Sequence, residues 1–189
     1  MDAFRWISVA LSMLLGLGVT RLLSSAIAVF RSRQRATLDW VPLAWAAIIF
    51  LEQLQFWWAI IELPSLVPVW TIGSFLLLVC LTLLLYVAAA LVLPSAELQR
   101  GESLGAEFRR DGRWALAALS VYCLLALVAD WWFWRGHMDP RTALLIVPQI
   151  VLPLLYLGLA SRRLQVAVTL VYVANGMLAA WLLSPAAYG

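Results

Sequence analysis

Lysine does not occur in this 189-residue chain. A retinal or pyridoxal Schiff base needs a lysine amine and is thereby excluded. Histidine occurs once, as His137, which excludes a haem held by two histidines and any multi-histidine metal site. Cysteine occurs twice, as Cys80 and Cys123, in separate apolar stretches without metal-ligand spacing. Both are expected to be buried packing residues. There is no phosphate-binding glycine loop and no Ser/His/Asp set, so no cofactor is expected. Charge is scarce: 12% of residues are charged, against about 25% in ordinary soluble domains.

Apolar residues fill the space that charge leaves. They make up 65% of the chain, well above the roughly 45–50% usual for soluble domains, and they come in long runs between clusters of charge. A criterion of roughly 17–25 apolar residues per span predicts an all-α, polytopic transmembrane bundle of six helices in a single domain over 1–189. The expected spans are helix 1 (4–30), helix 2 (40–62), helix 3 (70–93), helix 4 (114–134), helix 5 (143–160) and helix 6 (166–183). Asp2 and Arg5 precede an apolar run much longer than the ~7–15 residues of a signal-peptide core, so this run reads as the first span. The 63–69 segment, with Pro64 and Pro68, reads as a tight turn. The 94–113 connection interleaves Leu98, Leu104 and Phe108 with Glu97, Arg100, Glu107, Arg109 and Arg110. That pattern suits either an amphipathic element on the inner leaflet or a solvated loop.

All thirteen basic residues are arginine. Nine lie in the 1–2, 3–4 and 5–6 connections: Arg31, Arg33, Arg35, Arg100, Arg109, Arg110, Arg113, Arg162 and Arg163. Arg5, Arg135 and Arg141 lie on the opposite side. The excess places those three connections in the cytoplasm and both termini outside, as expected for a multi-pass protein of a bacterial inner membrane. The arginines set orientation and do not point to nucleic acid. Tryptophans mark the same boundaries: Trp40, Trp70 and Trp114 open spans, and Trp57, Trp58, Trp131, Trp132, Trp134 and Trp181 lie towards outer ends, where indole rings favour the headgroup region. Membrane lipids are therefore expected partners. On helix 1, Ser12, Gly16, Thr20 and Ser24 form a small-residue ladder. It permits close helix approach, first of all within the subunit and otherwise between copies in a homo-oligomer.

Two residues break the apolar runs most sharply. Arg21 and Glu52 each sit deep within an expected span, where an ionised group costs at least ~2.5–3.5 kcal/mol and usually has a partner or lines a water path. Counted from the cytoplasmic ends at ~1.5 Å per residue, Arg21, Glu52, Gln149 and Asn175 fall at roughly one level, ~14–18 Å deep. Glu52, Gln55, Ala59 and Glu62 share one helical face with Trp45, and Asp130 near the outer end of helix 4 extends this acidic stripe. Gln53 points ~100° away from Glu52 and needs a different partner. Pro148 and Pro153 are expected to kink helix 5 and free carbonyls that neighbours must satisfy.

The leading expectation is an ion or small-solute pathway favouring a cation or proton. In it Glu52 is the central acid and Arg21 its counter-charge or gate. Gln55, Gln149 and Asn175 serve as lining, and Glu62 and Asp130 as an outer vestibule. A second reading is a non-transporting partner or sensor module that contacts protein through Arg109, Arg110 and Arg113, with Arg21 and Glu52 as a structural pair. A third is a membrane-embedded enzyme using His137, Asp139 and Asp130.

Overall fold

The computed structural model describes residues 2–67, 70–133 and 140–183. Among these no strand forms, and six long helices carry the fold. They are α1 (Asp2–Arg31), α2 (Trp40–Ala59), α3 (Ile72–Val92), α4 (Arg113–Phe133), α5 (Pro140–Gly158) and α6 (Arg162–Leu183). Their boundaries follow local chemistry. Asp39 is extended and accepts a hydrogen bond from the Val41 amide at 3.0 Å, capping α2. Thr71 accepts from the Ser74 amide at 3.1 Å, so α3 begins at Ile72 and not at Trp70. Leu93 turns extended (φ −128°, ψ 150°) ahead of Pro94 and ends α3. The 63–69 segment is not a simple turn: a 3-10 turn, Ile60–Glu62, leads into a short helix, Leu63–Leu66.

Four helical stretches are long and apolar enough to cross a membrane: Phe4–Arg31, Ile72–Val92, Leu104–Trp132 and Arg162–Leu182. The apolar stretch of α5, Thr142–Gly158, is shorter. Helix α2 has 20 residues, enough for ~30 Å, but Glu52, Gln53, Gln55 and its tryptophans dilute its hydropathy. Its position accounts for that composition. Helix α3 packs between α1 and α4, α4 packs on α5, and α5 on α6, while α2 touches α1, α3 and α6. The polar side chains of α2 thus lie on a helix that other helices shield. Val41, Trp45 and Ile49 on α2 are completely buried.

The packing face of α1 runs through Leu11, Leu15, Gly18, Leu22, Ser25 and Val29, the spacing of one helical stripe. A Cβ at Gly18 would stand 3.1 Å from Gln53 Nε2, so this glycine is where α2 comes close. The Ser12–Ser24 ladder lies beside this face. Thr20 and Ser24 are exposed, and a Cβ at Gly16 would meet nothing within 4 Å. Packing within the subunit therefore uses the Gly18 stripe, not the ladder. Cys123 is buried as expected, but Cys80 faces outward from α3, because the inward face of α3 carries Leu78, Leu81, Thr82 and Leu85.

The three arginine-rich connections meet at one end of the bundle and are sewn together. The Gly101 amide donates to Arg35 O at 3.1 Å, the Leu104 amide to Thr37 O at 3.0 Å, and the Leu98 amide to Ser32 Oγ at 2.8 Å. Gly101 makes the turn at φ +88°. Arg35 pairs with Glu97, and Arg162 pairs with Asp39. The apolar residues of the 94–113 connection pack on protein. Leu98, Leu104 and Phe108 are buried against the bundle, and the chain from Leu104 runs on as helix, through a π turn at Phe108–Gly112, into α4. Trp40, Trp57, Trp58, Trp114, Trp131, Trp132 and Trp181 turn their rings outward.

Candidate functional site

Glu52 occupies the middle of the enclosed helix and is 7% exposed. Among the described residues it makes no ion pair and no hydrogen bond. Its surroundings come from α4 and α6. The carboxyl lies within electrostatic reach of Tyr122, Cys123 and Tyr172, and Tyr122 feels Asp130 as well. From the helix starts at Trp40, Arg113 and Arg162, residues 52, 122 and 172 are all ~14–18 Å deep at ~1.5 Å per residue. The sequence places hydroxyl-bearing rings at the level of the acid, and the fold turns them towards it.

Several polar atoms in this region are buried without a partner. They include Tyr172 Oη, Gln55 Nε2 and Trp45 Nε1. The Tyr172 hydroxyl lies beside the Cys123 thiol but lacks the geometry of a full hydrogen bond. A buried polar atom without a partner costs roughly 1–3 kcal/mol, and such atoms are normally satisfied by protein or by ordered water. Several around one carboxyl describe an environment suited to water or a cation, since the hydroxyl and amide groups offer both donors and acceptors.

The two ends of this region differ. Towards the arginine-rich end, aromatic rings close it. Trp45 lies tilted against Tyr172 at 4.5 Å and meets Tyr156 edge-on at 5.7 Å, and Phe108 meets Tyr156 edge-on at 5.9 Å. Towards the other end, Phe56 and Tyr122 meet at 6.4 Å, the α2 face goes from buried Glu52 through half-buried Gln55 to exposed Ala59, and Asp130 is half-buried. The Glu62 side chain lies outside the described residues.

Arg21 is elsewhere. Its Nη2 donates to the Ala90 carbonyl of α3 at 3.3 Å. The side chain lines a cavity of about 450 Å³ with Leu93, Glu97, Phe108, Arg110 and Asp111. No ion pair joins Arg21 to Glu52 among the described residues. Gln53 finds the separate partner its angle demanded, donating to Leu85 O on α3 at 3.5 Å. Asn175 donates to Leu145 O at 2.8 Å, beside the turn where Pro148 interrupts the backbone bonding of α5. Gln149 is buried on the same helix. The structure thus brings Glu52 and Gln55 to one side of α2, leaves Arg21 in its own cavity, and ties Asn175 to α5. Tyr122 and Tyr172 join the site without having been singled out, and Cys123, expected only as a packing residue, joins them; their signal was a polar atom at the depth of Glu52 inside an apolar run. His137 and Asp139 lie outside the described residues, and no group of three His, Cys, Asp or Glu gathers among the described ones.

No protein-family model, no curated protein and no solved structure matches this chain.

Proposed function

We propose that all six long helices cross a bacterial inner membrane, with the sewn arginine-rich end in the cytoplasm and both termini outside, and that the bundle forms a cation or proton pathway with Glu52 as its central site. One observation carries this reading: a carboxyl enclosed in the bundle without a counter-charge, amid buried hydroxyl and amide atoms that also lack partners. A carboxylate held for structure alone would be expected to have an arginine or a set of donors against it. Tyr122 and Asp130 lead outward from Glu52 as an acidic vestibule, and the Trp45–Tyr156–Phe108 rings act as the inner closure. Arg21 belongs to a separate inner cavity, so its role is to set the potential of the inner mouth and not to neutralise Glu52.

The test is proton and cation flux in proteoliposomes of purified wild type beside Glu52→Gln, with folding of both checked by monodisperse elution. Flux in the wild type that collapses in the variant is the expected result. Equal flux in both would remove Glu52 from the pathway. Absence of flux in the wild type across pH and imposed voltage would favour the second reading, in which the sewn connections serve as one rigid protein-contact surface. The arrangement that favours that reading is the set of cross-connection bonds at Arg35, Thr37, Asp39 and Ser32.

A further inference from the structure

A second cavity, of about 510 Å³, opens at the arginine-rich end between the start of α4, the end of α5 and the start of α6. Arg109 and Arg113 line it on one side, Trp114, Ala117 and Leu157 on another, and Tyr156 and Gln165 at its base. Its charge is one-sided. Arg110, the intervening residue, is held by Glu107 and Asp111, and Arg31, Arg35 and Arg162 also have carboxylate partners. Arg109 and Arg113 have none among the described residues, and no carboxylate lines the cavity. Gln165 is already committed, donating to Leu159 O at 2.8 Å. Two guanidiniums therefore remain for an anion.

The rest of the lining identifies the body attached to that anion. Trp114 is 59% and Leu157 40% exposed, so the cavity is continuous with an outward apolar wall. The Arg113 guanidinium sits 5.4 Å from the Trp114 ring centroid. Arg113 is also the last charged residue before Asp130, which puts the guanidinium pair at the boundary between the polar end and the apolar body of the bundle. A soluble anion would use the charges and leave the wall bare. A molecule with a phosphate at one end and hydrocarbon at the other uses both, and basic pockets between spans hold such headgroups.

We propose that this cavity binds an anionic phospholipid, its phosphate against Arg109 and Arg113 and its acyl chains along Trp114, Ala117 and Leu157. The test uses the full chain in a neutral detergent. Retained lipid is read by native mass spectrometry, and thermal stabilisation is titrated with phosphatidylglycerol, phosphatidylcholine and inorganic phosphate. Phosphatidylglycerol is expected to bind and raise the unfolding midpoint, and the other two to do neither. The Arg109→Gln/Arg113→Gln double variant should weaken phosphatidylglycerol binding about thirtyfold, roughly fivefold per guanidinium. An Arg33→Gln/Arg100→Gln control removes equal charge away from the cavity and should leave binding within about twofold. Equal loss in the control pair would show general surface attraction and overturn the site. Competition by inorganic phosphate as effective as the lipid would overturn the lipid as its occupant. Neither arginine pair is engaged by a carboxylate, so both variants should elute as the wild type does, and retained binding in a folded Arg109→Gln/Arg113→Gln protein would also reject the proposal.

Discussion

A methyl group added at Gly105 would sit 2.7 Å from Asp39 Oδ2, inside any tolerable contact. Gly16 has open space around the same position. Gly105→Ala must displace a carboxylate that caps α2 and pairs with Arg162, and is expected to cost about 1–3 kcal/mol; Gly16→Ala is expected to cost nothing. Thermal unfolding in detergent separates the two, and equal midpoints would show that the 2.7 Å approach does not constrain the fold. Cys123 supplies a second single-residue test, because it lies within electrostatic reach of Glu52 with only 2% exposure. In a Cys80→Ser background it is the sole thiol. A water path to Glu52 predicts its slow modification by a small water-soluble thiol reagent in the folded protein. Complete protection, with full modification after denaturation, would argue for a dry site. Much of this scale was legible in advance. Glu52 and Gln53 stand out by charge and by angle, and both fall where the helical period places them. Tyr122 and Tyr172 did not stand out, because a tyrosine in an apolar run reads equally as a packing ring until the fold shows where its hydroxyl ends.

Helices were legible because each is a long, predominantly apolar run, and several of their ends were fixed by single residues. Asp39 shows how one side chain works on two elements, capping α2 through Val41 and holding the start of α6 through Arg162. Asp39→Ala loses both and should cost about 0.5–2 kcal/mol, chiefly from the cap. Asn also caps, and the ion pair is partly exposed and so weak, so Asp39→Asn should cost far less. Midpoints of thermal unfolding for the two variants check this, and equal losses would assign the effect to the ion pair. On α5 the proline-opened turn is tied by Asn175. Asn175→Leu removes this bond to the Leu145 carbonyl, at about 0.6–1.7 kcal/mol for such an interhelical bond. The 94–113 connection was the least legible element. Alternation of Leu98, Leu104 and Phe108 with charged residues demands that one face be covered, but does not say by what. Bonds to Arg35, Thr37 and Ser32, more than sixty residues away in sequence, decide that protein covers it.

At the scale of the molecule, the even number of long helices and the meeting of three connections at one end fix a relation between distant parts. In the proposed topology, six crossings put both termini on the same side, opposite the sewn end. A C-terminal fusion should then be active with alkaline phosphatase and dark with green fluorescent protein, and the reverse pattern would invert the orientation read from the arginines. The same architecture sets where a pathway would be closed. The Glu52 region is walled from the sewn end by Trp45, Tyr156 and Phe108, rings contributed by α2, α5 and the segment leading into α4. No single helix carries this closure, so it depends on the connections being held together. Truncating Phe108 removes the outermost ring and, for a buried phenylalanine, should cost about 3–5 kcal/mol; Phe108→Leu keeps the helix and most of the volume at smaller cost. In inside-out vesicles, which expose the sewn end, Phe108→Leu in the Cys80→Ser background should speed reagent access to Cys123. Trp131→Leu, an exposed ring at the opposite end, should leave that rate unchanged. If both substitutions changed access equally, the rings would be packing alone. If Phe108→Leu acted only from the sewn side, the aromatic cluster would be the inner closure of a path that reaches Glu52.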